Sequence, residues 1–200
     1  MDPTVRVADS SWRSGPGSFG PTRTARDGND LGMTRFVVDP DASQVWIEGS
    51  SSMHPIHATA TGVSGWVELS RSGDGIAPDP RLGGEIRVAV DRLHSGNALV
   101  DRETRRRIDA RRHPEIIGTV TTADRVGTER LAVTGDVSFR GEMRPVNGEI
   151  NVSAEGGRLV LEGTQTFDVR DWGLQPPRVA LLRVHPEVRI RIRLVAESAP

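Results

Sequence analysis

The residues best suited to covalent or acid–base chemistry are Ser51, Ser52, His54 and Asp101. A serine hydrolase needs a nucleophile, a base and an orienting acid that converge, with the nucleophile on a sharp turn between a strand and a helix. The spacing of these four residues marks neither such a turn nor a pair of carboxylates. The sequence therefore predicts a protein that is not an enzyme.

The histidines are the other residues that could do chemistry, as metal ligands. His54 and His57 are three residues apart, and on a strand such residues point to opposite faces, which prevents them from sharing one ion. His94, His113 and His185 lack a second histidine or a carboxylate at a suitable spacing. Because the chain also has no cysteine, we expect no metal site and no cofactor.

The balance of charge and hydropathy excludes several classes of partner. Lys+Arg total 26 and Asp+Glu total 27, for a formal net charge of -1, so no global basic field would attract nucleic acid or an anionic membrane. The longest purely apolar run, residues 179–182, is far below the roughly 20 residues of a membrane span. With no apolar leader near the N-terminus, the expected location is the cytoplasm, without an integral membrane segment.

The elements that would position any functional group are strands, because apolar and polar residues alternate from Phe36 onward. Turn-forming residues separate the segments at spacings that suit hairpins. The alternating apolar sets are Phe36/Val38, Val45/Ile47, Val63/Val67/Leu69, Ile86/Val88/Val90, Ile116/Val120, Leu131/Val133/Val137/Phe139, Val146/Ile150/Val152 and Leu159/Leu161/Phe167.

The last strand has the clearest pattern, since the apolar residues from Val188 to Leu194 alternate with three arginines. One face of this strand is predicted to lie in a core and the other in water. A single helix is predicted over residues 97–112, with Asn97 as its N-cap and Pro114 ending it.

The chain is predicted to hold one domain, residues 33–200, behind a disordered tail of residues 1–32 that lacks apolar periodicity. Met33 stands just before the first patterned segment, so translation from Met1 or from Met33 is left open. Eight or more short antiparallel strands and one helix predict an all-β fold, either a sandwich or an up-and-down barrel. A barrel of about eight strands is either filled by its own side chains or holds one small ligand.

Four segments, in order along the chain, resemble the YceI-like family of polyisoprenoid-binding proteins. Val63-Ser64-Gly65 resembles the family's Val-x-Gly step, and residues 108–116 are similar to its helix end, with His113 where an aromatic residue is usual. Residues 137–146 are similar to the family's strand, Arg-Gly turn and returning strand, and residues 167–174 resemble its Arg-x-aromatic-Gly element. Gly118 stands where the family often has a bulky aromatic residue.

The resemblance spans roughly residues 36–197 and implies an antiparallel, lipocalin-like β-barrel with one short helix and an apolar, lipid-like ligand. An isoprenoid, a quinone or a fatty-acyl molecule would then be bound, carried or sequestered inside the barrel. The expected ligand-binding residues are inward strand positions together with Phe167 and Trp172. The full set is Val45, Ile47, Val88, Val90, Ile116, Val120, Val133, Val137, Phe139, Phe167, Trp172, Val188 and Ile190.

The arginine-rich helix offers one local basic patch. Its ordinary explanation is a solvated helix face. If the helix lies over a barrel mouth, Arg106 and Arg107 could bind an anionic head group such as a diphosphate, because one guanidinium group can donate two hydrogen bonds to a phosphate at once.

Two alternatives to the carrier function stay open at this stage, one of which is an enzyme on the same barrel, which would need polar groups that converge inside the cavity. A barrel filled by its side chains would be a ligand-free, stress-related or protein-interaction module, and a cavity would distinguish the two. The expected partner is an apolar small molecule and not a nucleic acid, and pairing of exposed strand edges in a homodimer is left open.

Overall fold

The computed structural model describes residues 32–73, 75–155, 157–176, 178–179 and 182–199. These residues form thirteen strands, one α-helix and two short 3-10 helices, Val90–Arg92 and Val169–Trp172. The helix, α1, spans Ala98–Ile108. The strands are β1 Met33–Val38, β2 Gln44–Ser51, β3 Pro55–Thr61, β4 Ser64–Ser72, β5 Gly75–Ile76, β6 Leu82–Ala89, β7 Leu93–His94, β8 Glu115–Arg125, β9 Arg130–Phe139, β10 Glu142–Glu155, β11 Arg158–Asp168, β12 Arg178–Val179 and β13 Leu182–Ser198.

The main sheet closes into an eight-stranded antiparallel barrel in the order β1-β4-β6-β8-β9-β10-β11-β13, with β1 returning to β13. The barrel is therefore confirmed and the sandwich alternative is wrong. β13 is long enough to pair with β1 near its C-terminal end and with β2 along the rest of its length. Strands β2, β3 and β7 extend the sheet beyond this point.

Ser43 holds β13 where it changes partner from β1 to β2. The backbone N–H of Val195 donates to Ser43 Oγ at 3.0 Å, and Ser43 Oγ donates to the Val195 carbonyl at 3.3 Å. Ser43 is fully buried, so its hydroxyl satisfies backbone groups that no strand covers there.

The alternation predicted for the last strand is confirmed. Ile190 and Ile192 face inward, whereas Arg189, Arg191 and Arg193 are exposed. The Arg191 guanidinium lies 4.1 Å from the ring centre of Trp46 on the neighbouring strand, which shields part of an outward-facing indole.

The predicted helix is shorter than expected, because it ends at Ile108 and not at residue 112. Asp109 follows with φ 57°, and its N–H donates to the carbonyls of Arg105 and Arg106. Aspartate tolerates this left-handed conformation, which ends a helix without glycine or proline. The N-cap is confirmed, since Asn97 accepts hydrogen bonds from the N–H groups of Leu99 and Val100.

The strands differ from the sequence pattern in several places, and the two-residue strands β5, β7 and β12 were not predicted. β3 was not predicted, because its inward residues after Ile56 are the small Ala58 and Ala60, which weaken the apolar alternation. Val90 was placed on a strand but lies in the 3-10 helix that follows β6. It is fully buried there.

Arg125 seals one end of the barrel. Its guanidinium donates to the carbonyls of Ile76, Ala77 and Pro78 in the segment after β5, and to those of Gly127 and Thr128 in the β8–β9 turn. These bonds hold the two connections across the barrel end, where Ala77 is fully buried.

Glycine allows neighbouring strands to approach closely at the bends of the wall. A Cβ atom at Gly135 would lie 1.8 Å from the Thr119 carbonyl oxygen, and one at Gly65 would lie 2.0 Å from the Glu85 carbonyl oxygen. Any larger residue would force these strands apart. The tail predicted for residues 1–32 lies outside the described residues except for Gly32, and it stays a prediction.

Candidate functional site

The inner surface of the barrel divides into two halves that differ in burial. The half next to Arg125, here called the sealed half, is lined by large apolar side chains that are almost completely buried. They are Phe36, Val38, Leu69, Leu82, Leu131, Val152, Leu159, Leu161, Leu194 and Ala196. Their dense packing leaves no room for a ligand.

The other half, here called the open half, has inward side chains that remain partly exposed. Register pairs such as Val88 with Ile116 and Ile47 with Ile190 place predicted site residues next to one another on this wall. The partly exposed side chains are less buried than those of the sealed half, and several of them, Ile47, Ile116 and Val133 among them, also pack against the apolar core. The predicted residues in this state are Ile47, Ile116, Val120, Val133, Val137, Phe139, Phe167, Val188 and Ile190.

Four other predicted site residues are buried in the protein itself. Val45 and Val88 lie in the continuous apolar core with Val90, and Trp172 is only 5% exposed. These four side chains therefore pack against the protein itself, and their place in a ligand site stays a prediction.

Glycines take inward positions on three strands of the open half, at Gly49, Gly148 and Gly163. Neighbouring side chains lie against them, since a Cβ at Gly163 would lie 3.1 Å from Cγ2 of Ile150 and one at Gly49 would lie 3.8 Å from Cγ1 of Val188. The space at Gly118, where the family often has an aromatic residue, is filled by the neighbouring strand, since a Cβ there would lie 3.3 Å from Cγ1 of Ile86.

An aromatic cluster covers the mouth of the open half, by which we mean the barrel end where β9 and β11 end. The Trp172 ring meets Phe139 edge-on at 6.5 Å and Phe167 at 5.8 Å between ring centres. Its indole N–H donates to the Val137 carbonyl at 3.0 Å, and Arg140 donates to the Trp172 carbonyl at 3.1 Å. Trp172 thus closes the mouth and packs on the barrel at once.

The helix arginines predicted as a head-group site are already engaged. Arg106 and Arg107 both donate to Glu103, at 2.8 Å and 2.7 Å, and Arg107 also reaches the Gln175 carbonyl beside the mouth. The hydrogen bonds from Arg106 lower the pKa of Glu103 to about 2, with Arg107 contributing. Glu103 therefore stays ionised and competes with any anionic ligand.

The structure shows a side opening that the sequence analysis missed. β10 pairs with β9 over Glu142–Asn151, but it pairs with β11 only from Ile150 onward. Between residues 144–149 of β10 and 164–168 of β11 the barrel wall is therefore open. We call this opening the window.

A cleft of about 690 Å³ lies in the window, with Val146, Gln165 and Phe167 among its lining residues. A second cleft, of about 490 Å³, lies where the β10–β11 ladder begins, and its lining is mostly outward polar side chains beside Ile150 and Ile192. The sequence does carry a signal for the window. Pro145 stands inside β10, and proline is confined to strand edges because it cannot donate to a ladder.

The four residues considered for catalysis do not converge. Ser51 Oγ lies 3.1 Å from Nδ1 of His54 within a turn, and it also donates to the His54 carbonyl. Asp101 instead accepts from the Ser95 hydroxyl at 2.6 Å and lies 3.3 Å from His94. The Ser95 hydrogen bond lowers the pKa of Asp101, which keeps it as an anion at the start of α1.

Among the described residues, no group of three or more His, Asp or Glu side chains is arranged to hold a metal ion. Across the same part of the chain, no helix has both the length and the apolar character of a membrane span.

Comparisons with known proteins identify the fold independently. The YceI-like domain family matches residues 36–196. No curated protein sequence matches this chain.

Solved structures with the same fold come from several bacteria. Burkholderia cenocepacia BcnA superposes with a TM-score of 0.66 at 16% identity, over 79% of this chain and 98% of that protein. A polyisoprenoid-binding domain from Saccharophagus degradans, implicated in plant cell wall breakdown, gives 0.66 at 14% identity, over 84% and 100%. The YceI protein of Campylobacter jejuni gives 0.58 at 10% identity, over 72% and 84%.

Proposed function

Because the chain belongs to the YceI-like domain family, we propose that it binds an apolar, lipid-like molecule in the open half of its barrel and carries or sequesters it. The observation that carries the proposal is the partial exposure of inward-facing Ile, Val and Phe side chains in that half. Apolar surface left in contact with water inside a protein provides the free energy for binding a hydrocarbon.

The character of the wall favours an uncharged ligand such as a prenyl alcohol, a quinone or a fatty amide. The inward positions of the open half carry almost no charge, so an ionised group placed there would be desolvated without a partner. The polyisoprenoid-binding domain from Saccharophagus degradans is a structural neighbour, and its described ligand belongs to the same apolar class.

An anionic head group at Arg106 and Arg107 is the alternative, in which a prenyl diphosphate would be preferred. Both guanidinium groups already bond to Glu103, so a phosphate would have to replace this carboxylate. Comparing farnesol with farnesyl diphosphate as competitors distinguishes the two ligand classes, and we expect farnesol to bind at least as tightly.

The test is displacement of a dansyl-labelled farnesol probe from the wild type and from Val133→Trp. The indole would fill the space in front of β9, so probe affinity should fall by about tenfold or more while the fold persists, because volume added beside a void is tolerated. Ala132→Trp, which adds the same ring to the outer face of the same strand, is the matched control and should bind normally.

Two results would refute the proposal. Undiminished binding by folded Val133→Trp would place the ligand outside the open half. Failure of the wild type to bind any uncharged or anionic probe would favour the ligand-free interaction module. The cytoplasmic location stays a prediction that cell fractionation checks, and homodimer formation stays one that sedimentation checks.

A further inference from the structure

The barrel offers a ligand three routes to its interior, and two of them are closed by specific contacts. Arg125 binds five carbonyl groups across the sealed end. The mouth of the open half is covered by Trp172, which is fixed by its indole hydrogen bond and by the edge-on rings of Phe139 and Phe167. The window between β10 and β11 is the third route.

The window is framed on all sides by ordered contacts. Its lower limit is the first pair of the β10–β11 ladder, Ile150 with Gly163. Its upper limit is the hydrogen bond at 2.8 Å from Arg144 Nε to the Asp171 carbonyl. Arg144 and Ile150 are six positions apart on β10, so the window is about 20 Å long at roughly 3.3 Å per residue. Its long axis runs along the strands, as an extended hydrocarbon chain lying in it would.

The cations at the rim of the window are engaged by neighbouring groups. Arg130 pairs with Glu149 at 3.5 Å and Arg144 pairs with Glu142 at 3.1 Å, while Arg191 is stacked on an outer tryptophan. Carboxylates line the same clefts and would repel an anionic head; they are Glu149, Glu162, Asp168 and Asp171. An uncharged ligand is the class that such a rim admits at least cost.

Gln165 is the polar group that faces inward at the window. The inward row of β11 is otherwise apolar or glycine, as its pairing with β13 shows. Its side chain extends across the gap toward β10, since Oε1 would lie 3.6 Å from a Cβ atom at Gly148. Gln165 is exposed, and its amide has no hydrogen-bond partner among the described residues, so it is available to a hydroxyl or carbonyl group.

Pairing with another strand is disfavoured at this edge. Pro145 removes one N–H group from the open stretch of β10, and an edge that carries proline and charged residues is a poor template for a second strand. This argues for a small molecule as the occupant of the window.

We infer that the barrel is loaded sideways, through the window between β10 and β11, by an uncharged lipid-like molecule whose chain lies along the inner wall and whose hydroxyl or carbonyl group bonds to Gln165. This inference rests on the proposed function. To that function it adds the route by which the ligand enters the barrel and the position of the ligand's polar end.

The route is tested by closing the window reversibly. The chain has no cysteine, so Asn147→Cys/Thr166→Cys would carry the only two thiols, one on each side of the gap. They are joined with a short bismaleimide that contains a cleavable disulfide. Stopped-flow uptake of the dansyl-labelled farnesol should slow by about tenfold or more in the stapled protein and recover after reduction.

Two staples serve as matched controls. Ser153→Cys/Val160→Cys joins the same two strands where they are already paired, away from the residues that line the clefts, and Arg107→Cys/Gln175→Cys joins α1 to the segment at the mouth. Both should leave the uptake rate unchanged. Slower uptake with the mouth staple, or unchanged uptake with the window staple, would overturn sideways loading while the proposed function stands.

The polar end is tested by Gln165→Leu. Loss of one hydrogen bond should weaken farnesol about fivefold and leave a plain hydrocarbon of equal length unaffected or tighter. Equal weakening of both probes would contradict the assignment of Gln165. If the unmodified protein binds neither probe, the proposed function and this inference fall together.

Discussion

The sealed and open halves of the barrel are made by the same strands, yet they differ in the size of their inward residues. On β9, Leu131 in the sealed half is completely buried, whereas Val133, two residues along on the same face, is partly exposed. Six of the ten residues of the sealed half are leucines, whereas the open half is lined mainly by valine and isoleucine. One barrel therefore has a fully buried part and a less buried part, and the second is where we propose that the ligand binds.

The largest expected difference is between truncations on β9. Leu131→Ala should destabilise the protein by about 3–4 kcal/mol, because it leaves a cavity in dense packing. Val133→Ala should cost about 1 kcal/mol or less, since its side chain already borders open space. Urea unfolding of the two variants measures the difference, and equal losses would show that the two halves are packed alike.

The Arg125 seal is expected to rank next. Arg125→Met keeps much of the side-chain volume but leaves several carbonyl groups without a donor, which should cost about 2–4 kcal/mol. Arg189→Met on the exposed face of β13 is the control and should be nearly neutral. A neutral effect of Arg125→Met, read from the thermal midpoint, would mean that the seal adds nothing to the stability of this end.

A smaller loss of stability is expected at Ser43, which lies where β13 changes its pairing partner from β1 to β2. Ser43→Ala removes both hydrogen bonds to the Val195 backbone, and we expect a loss of about 1–2 kcal/mol. Hydrogen exchange at Val195 should accelerate in the same variant. Ser50→Ala, at an exposed position of β2, should change neither quantity.

The smallest effect concerns α1 beside the open half. The pKa of Glu103 is lowered from 4.5 to about 2, so its stabilising contribution is complete above about pH 4.5 and is lost as the pH falls toward 2. Glu103→Gln should remove this part of the acid sensitivity, measured as the urea midpoint between pH 5 and pH 2. Glu129→Gln is an exposed control, and an identical pH profile for Glu103→Gln and the wild type would count against the helix ion pairs.

Much of the architecture followed from local patterns in the sequence. Alternation identified the strands that form the barrel wall, and the inward position of Ile190 between exposed arginines depends only on the two-residue repeat of a strand. Asn97 was recognised as an N-cap because its side chain satisfies backbone groups within the next three residues. The helix end was misjudged, since the left-handed Asp109 stops α1 before proline can act.

Other features were decided only by the tertiary structure, because they depend on residues far apart in the chain. The sequence showed that the wall is apolar, but whether Val133 faces space or a neighbour is set by side chains on other strands. Arg125 carries no distinguishing sequence signal, because the carbonyls around it come from two connections that only the fold brings together. Pro145 indicates a strand edge. The window itself exists because the C-terminal part of β11 pairs with β13 but not with β10, and no local sequence pattern predicts which partner a strand pairs with.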